Sequence, residues 1–208
     1  MAIQDIYQAV LQFQAKDMAN LVQKELDAGT EITALLNDGL IAALDEVGER
    51  FSRGDLFIPE MLHAAQIAQT GLDVLKPLLA ESDTRSAGTV VIGTVKGDLH
   101  DIGKSLVKMM LKGGGFQVVD LGVDVPTEAF VQAVEENRAD IVALSALLTT
   151  TMPAMQETVA RFRENGFSAK VMVGGAPITE EYAEKIGADG YAGDASQAVA
   201  LARRLLAG

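Results

Sequence analysis

Thr89-Val90-Val91-Ile92-Gly93-Thr94-Val95-Lys96-Gly97-Asp98-Leu99-His100-Asp101-Ile102-Gly103-Lys104 is the stretch whose reading sets the fold. Its opening residues, Thr89-Val90-Val91-Ile92, are β-branched without a break and bounded by Gly88 and Gly93, the pattern of a short buried strand. Beyond it, Leu106, Val107, Met110 and Leu111 recur at helical spacing until Gly113-Gly114-Gly115 stops the helix. Strand, loop and helix make one βα unit. In open α/β sheets, the loop at the carboxyl end of such a strand is where ligands bind. This loop holds one of the two histidines of the chain, with Asp98 two residues before it and Gly103 three after.

The pattern repeats downstream. Strands are predicted over 89–94, 117–121, 141–145, 170–173 and near Tyr191, and helices over 103–112, 127–136, 152–165, 179–186 and 196–206. Alternating elements of this kind build a Rossmann-like, doubly wound α/β sheet of five parallel strands with flavodoxin-like order. Upstream, up to about Leu79, the sequence is helical only. Met18, Leu21, Val22 and Leu26 form one apolar stripe that Gly29 ends. Thr30-Glu31 opens the next helix with a cap and an acid near its positive end. Ile32, Leu35, Leu36, Leu40, Leu44 and Val47 continue a long amphipathic helix toward Phe51. Ser52-Arg53-Gly54-Asp55 is a turn, and Pro59 suits the first position of a further helix. A four-helix bundle over 1–87 is expected to precede the α/β domain over 88–208, with the aperiodic stretch 80–88 as linker.

Composition narrows the function classes. The chain has 208 residues, is 49% hydrophobic and carries a formal net charge of −12. A core is affordable, whereas nucleic acid and anionic membrane surfaces, which need a basic footprint, are disfavoured as partners. There are no cysteines, so thiolate metal sites, disulfides and cysteine nucleophiles drop out. No apolar run reaches membrane-spanning length, and the N-terminus lacks the basic start of a signal peptide. The expectation is a soluble cytoplasmic protein.

Three groups of residues could carry chemistry. In Asp98-x-His100-x-x-Gly103, a neutral imidazole on a loop is a ligand for a borderline transition metal. Asp98 can orient it through its other nitrogen, and Gly103 leaves room for something bulky at the helix start. A helix cap with an incidental histidine is the plainer reading. Ser145-Ala146-Leu147-Leu148-Thr149-Thr150-Thr151 places hydroxyls at the end of the third strand, either facing the same crevice or merely capping a helix. Gly174-Gly175 follows the fourth strand and permits close approach of a ligand or of another piece of backbone. Gly103-Lys104-Ser105 invites a phosphate-loop reading, but five residues separate Gly97 from Gly103 where that motif needs four. His63 reads as a structural helical histidine. Phe51, Ile58, Met61 and Leu62, around the Pro59 turn, read as bundle core.

On these residues the sequence resembles the cobalamin-binding corrinoid proteins of methyltransferase systems and the cobalamin module of methionine synthase. The family's pattern is a helical cap followed by D-x-H-x-x-G, S-x-L and G-G. Here those are Asp98, His100 and Gly103, then Ser145 and Leu147, then Gly174 and Gly175. The resemblance covers nearly the whole chain. It implies a cobalamin (methylcobalamin or another corrinoid) whose cobalt takes His100 as lower axial ligand. Asp98 and the hydroxyl of Thr151 would form a relay behind that histidine. The nucleotide tail would enter a slot formed by Gly103, Ser145, Gly174 and Gly175, with Thr149 beside the benzimidazole. Asp101, Ile102 and Leu147 belong to the same cofactor-binding set. Phe51, Ile58, Met61 and Leu62 would shield the upper face of the metal.

The resemblance further implies a methyl carrier. Cobalt(I) would accept a methyl group through a substrate:corrinoid methyltransferase. Methylcobalt(III) would deliver it through a methylcorrinoid:acceptor methyltransferase, to tetrahydrofolate or a thiol, and a reductive activase would restore the carrier. The length leaves no room for a (β/α)₈ barrel beside the two modules, so the chain is expected to be non-catalytic alone. A cap that protects the methyl group must also move aside, which predicts a hinge at 80–88. Among donors, the expectation leans to O-demethylation of methoxylated aromatics. A cobalamin-dependent sensor is the alternative, although it would need an output element and no basic recognition helix is visible.

Overall fold

The computed structural model describes residues 2–81 and 87–207. Chain contacts divide it into two compact units, Met1–Ser86 with Lys112–Gly115, and Ala87–Leu111 with Phe116–Gly208.

The first unit is helical. It comprises α1 (Ala2–Leu11), α2 (Met18–Asp27), α3 (Ile32–Ala34), a π-helical segment (Leu35–Ile41), α4 (Ala42–Ser52) and α5 (Ile58–Glu81). The single helix predicted from Ile32 toward Phe51 is therefore present, with an over-wide turn in its middle. Its apolar stripe is the core: Leu35, Leu40, Leu44 and Val47 are buried with Ile6, Met18, Val22 and Leu75. The crossing with α5 is close, since a Cβ on Gly71 would lie 2.8 Å from a methyl of Leu40. α5 continues to Glu81, so the first residues of the expected linker are helical. The remainder of that linker falls largely on 82–86, outside the described residues.

The second unit contains one parallel sheet of β1 (Thr89–Thr94), β2 (Gln117–Asp120), β3 (Ile141–Ser145), β4 (Lys170–Gly174) and β5 (Gly190–Ala192), in the order β2-β1-β3-β4-β5. Its helices are α6 (Ile102–Gly113), α7 (Thr127–Asn137), α8 (Met152–Glu164), α9 (Glu180–Ile186) and α10 (Ala195–Ala207). Val90, Val91, Ile141, Val142 and Val171 are inaccessible to solvent, as strands covered on both faces require. Gly93 lets the edge of the Phe130 ring approach β1 closely, because a Cβ there would come within 2.7 Å of it.

Register fixes where the loops emerge. Thr94 pairs with Ser145 and Ser145 with Gly174, so β1, β3 and β4 end at one level. The chain runs from β1 outward to β2, then returns to place β3 on the other side of β1. The crevice between the loops after β1 and β3 is the topological switch point, where this strand order puts its ligand site.

Candidate functional site

The loop after β1 is tied down through its backbone. The Val95 amide donates to the Ser145 carbonyl at 3.0 Å, and the Asp98 amide closes a turn onto the Val95 carbonyl at 3.1 Å. Gly97, at φ +83°, supplies the left-handed residue that this turn needs. The buried Thr94 hydroxyl donates to the His100 carbonyl at 2.9 Å. The main chain at His100 is thereby fixed to the strand end.

Asp98 is fully buried. Its Oδ1 accepts from His100 Nδ1 at 2.7 Å and from the His100 amide at 3.1 Å. Its Oδ2 accepts from the amides of Leu147 at 2.7 Å and Leu148 at 3.3 Å, and lies 2.8 Å from Thr151 Oγ1. Burial alone would raise the carboxyl's pKa. The Leu147 amide, the ring and amide of His100 and the Thr151 hydroxyl outweigh it and hold the group far below the usual carboxylate range. Asp98 is thus an anion and can only accept, so Nδ1 of His100 must carry the proton. Nε2 keeps its lone pair, on a ring whose side chain is 49% exposed. Thr151 Oγ1 also lies 2.8 Å from the Leu148 carbonyl, so its one proton has two acceptors in reach.

The structure therefore brings Asp98, His100 and Thr151 into one chain of contacts across the β1 and β3 loops. Ile102 is 79% exposed, and Leu99, Leu147 and Leu148 also expose apolar side chains at this edge, which is unusual for water-facing loops and suits a large flat apolar partner. Thr149 is exposed and Ser145 half-buried. A Cβ on Gly103 would meet nothing within 4 Å, so that glycine borders open space. Gly174 and Gly175 have a different reason to be glycine. A Cβ on Gly175 would fall 1.9 Å from the Ala146 carbonyl oxygen, at φ +125°, and one on Gly174 would fall 2.9 Å from the Ala192 carbonyl oxygen. Both are required by neighbouring backbone before any ligand arrives. In the helical unit, Met61 is buried in the core, Phe51 and Leu62 are half-buried and Ile58 is 45% exposed. Its neighbour Phe57, 73% exposed, was not singled out from the sequence.

Sequence reasoning also missed a charged cluster beside the loop. Lys104, 2% exposed, places Nζ 2.8 Å from Asp101 Oδ1 and 2.5 Å from Asp120 Oδ1. Lys108 Nζ reaches Asp120 Oδ2 at 2.7 Å. Burial opposes charge on Lys104, but its two carboxylate partners raise its pKa. Asp120 is likewise penalised by burial, and Lys104, Lys108 and the Gly122 amide bring it down to about 2. The phosphate-loop reading ends here, since the lysine it needs is turned into this cluster. The signal available in the sequence was the spacing of Lys104 and Lys108 on one helix face.

Among the described residues, no group of three or more His, Asp or Glu is placed to hold a metal ion. His100 offers a metal one nitrogen, Nε2, at a rim of exposed apolar side chains, which suits a metal carried in a large apolar ring.

Comparison with known proteins points the same way. Two family models, both described as B12 binding domain, match residues 2–76 and 88–200. Trimethylamine corrinoid protein 1 of Methanosarcina acetivorans is 44% identical over 202 residues, covering 95% of this chain and 94% of its own. Dimethylamine corrinoid protein 1 of the same organism is 48% identical over 176 residues, 83% of each chain. Among solved structures, the methanol:cobalamin methyltransferase complex MtaBC of Methanosarcina barkeri has a chain that superposes with a TM-score of 0.85 at 29% identity, over 100% of this chain and 80% of that one. Among the described residues no helix is long and apolar enough to cross a membrane.

Proposed function

Because the chain belongs to the B12-binding corrinoid proteins of methyltransferase systems, we propose that it carries a methyl group from a methylamine-specific methyltransferase to a second methyltransferase. The observation that supports this most directly is the accessible imidazole of His100, its Nδ1 proton directed at buried Asp98 and its Nε2 free at a rim of exposed apolar side chains. When bound, a corrinoid supplies a cobalt centre that alternately accepts and releases methyl.

The chain's own residues would then do four things. His100 would offer Nε2 to the cobalt. Asp98 fixes the tautomer and direction of that ring, and Thr151 lends Asp98 a hydroxyl proton that it can withdraw toward the Leu148 carbonyl. Asp101, Ile102, Leu147, Ser145 and Thr149 line the rim and the crevice, and Gly103 leaves the crevice open for the nucleotide tail. Phe51, Ile58, Met61 and Leu62 shield the methyl group in transit.

The two curated relatives are named for trimethylamine and dimethylamine. That moves the proposed donor from the aryl methyl ethers expected from the sequence to a methylated amine. The acceptor methyltransferase, serving a thiol or tetrahydrofolate, and the reductive activase stay within the proposal. The sensor alternative finds no support among these relatives.

The test is reconstitution with cobalamin, followed by visible spectra of the wild type and His100→Ala. The wild type is expected to show imidazole-ligated cobalt and His100→Ala to lose that signature. An identical spectrum for both would overturn the axial assignment. Methylation of the loaded chain by a trimethylamine- or dimethylamine-specific methyltransferase would support the donor class, whereas turnover with an aryl ether system alone would reject it.

A further inference from the structure

Resting on that cobalamin reading, we propose that the segment leaving β2, from Asp120 to Asp124, is a two-point clamp on the axial-ligand loop, with Asp124 and the Lys104–Asp120 pair as positioning residues for His100. The first point is Asp124. Its amide donates to the Asp98 carbonyl at 2.9 Å, and its Oδ1 accepts from the Gly97 amide at 2.7 Å. The grip falls on the two residues that lead into the Asp98 side chain and the His100 ring.

Asp124 holds that grip from a strained backbone. Its φ is +54°, and among the described residues other than glycine only Phe13 and Arg138 share a positive φ. L-residues occupy this region seldom and at a cost, and such positions persist where the surroundings over-determine them. Asparagine or glycine would sit here more cheaply, yet the chain carries a carboxylate aimed at Gly97. Immediately beyond, the Val125 amide donates to the Thr94 carbonyl at 3.0 Å and Val95 bridges Val125, so the segment is laced to β1 along its length.

The second point is Asp120, at the start of the same segment. It holds Lys104, the residue after Gly103, and Lys104 in turn holds Asp101. His100 lies between the two points. The ring is half in solvent and takes its direction from its hydrogen bond to Asp98, and so from the loop that carries both residues. Its aim depends on the backbone that carries it, and that backbone is fastened on both sides by one neighbouring segment.

The experiment uses the full chain with Asp124→Ala, Asp124→Gly, Asp124→Asn and Lys104→Met, each checked for native secondary structure by circular dichroism. In the cofactor-free chain, Asp124→Ala and Asp124→Gly should speed exchange of the Gly97 amide about tenfold or more, the usual effect of removing a hydrogen bond to a charged acceptor. Loaded with methylcobalamin, both should show a smaller fraction of imidazole-ligated cobalt in the visible spectrum, and Lys104→Met should do the same. Asp124→Asn keeps a neutral acceptor and tolerates the backbone, so both of its readouts should fall between those of the wild type and of Asp124→Ala. Glycine separates the two ingredients: it relieves the strain and removes the acceptor.

Wild-type exchange and spectra in Asp124→Ala would overturn the proposal. So would full recovery in Asp124→Gly, since backbone strain alone would then explain the alanine variant. A wild-type spectrum in Lys104→Met would overturn the second point, and should that variant fail to fold, Asp120→Asn is read in its place. If His100→Ala leaves the spectrum of the loaded chain unchanged, the cobalamin reading fails, and Gly97 exchange in the cofactor-free chain still judges the clamp.

Discussion

From the sequence, Gly103 reads as room for a ligand and Gly175 as room for a ligand or for another piece of backbone, and the structure separates them. At Gly175 an added Cβ would sit 1.9 Å from the Ala146 carbonyl oxygen and 2.8 Å from its carbon, at φ +125°. Neither atom is the far end of a flexible side chain, so the backbone itself must move. Strain of about 1–3 kcal/mol and overpacking of about 1–3 kcal/mol put Gly175→Ala roughly 3 kcal/mol or more below the wild type, with no cofactor present. At Gly103 the added methyl meets nothing within 4 Å, in the first turn of α6. Alanine is a better helix former than glycine by up to about 1 kcal/mol in a helix interior, so Gly103→Ala should be neutral to stabilising by roughly 0.5 kcal/mol in the cofactor-free chain. Its cobalamin affinity should nevertheless fall, and Gly103→Leu should fall further. Thermal denaturation followed by circular dichroism reads the first quantity, where Gly175→Ala should unfold roughly 10 °C lower. Spectrophotometric titration with cobalamin reads the second. If Gly103→Leu takes up cobalamin as tightly as the wild type, the open space beside Gly103 is not where the nucleotide tail goes. If Gly175→Ala keeps wild-type stability, the close approach to Ala146 is not what demands glycine there.

Other outcomes follow from the same geometry. Asp98→Asn turns an acceptor into a donor facing amides and an imidazole N–H, so it should destabilise the α/β unit by about 3 kcal/mol and abolish the imidazole-ligated spectrum, measured by urea unfolding and by reconstitution. Thr151→Ser should keep that spectrum and Thr151→Ala should weaken it, at about 1 kcal/mol of stability. Acid sensitivity has a defined window. Asp120 is lowered from an ordinary 3.8 to about 2, so its stabilisation is complete above about pH 4 and drains away as pH falls toward 2. Asp98 is depressed in the same direction. Asp120→Asn should be less stable at pH 7 and lose less between pH 4 and pH 2, and an acid limb as steep as the wild type's would contradict the assignment.

Much of the α/β unit could be read directly because its strands are written in runs of β-branched residues. The predicted bounds of β1 and β3 coincide with Thr89–Thr94 and Ile141–Ser145, and the strand order is the flavodoxin-like one expected. The π-helical turn at Leu35–Ile41 was invisible because it leaves the apolar stripe intact. Asp98, His100 and Gly103 stood out as a spacing. Leu147 stood out too, but the contact of the Leu147 and Leu148 amides with Asp98 did not, since amides some fifty residues away join a carboxylate only through the register of β1 on β3. The partners of Lys104 were missed for the same reason: its anchor Asp120 lies 16 residues downstream, at the end of another strand. Gly174 and Gly175 were recognised as special, but backbone crowding and ligand access leave the same letter in a sequence.

The buried carboxylate at position 98 has one more effect. It collects protons from residues on two separate loops, so the imidazole's tautomer and aim are settled while the chain folds. A corrinoid then meets a preorganised lone pair instead of a ring that must first be recruited, and little conformational freedom remains to be surrendered on capture. Loading should accordingly resemble a key entering a cut lock.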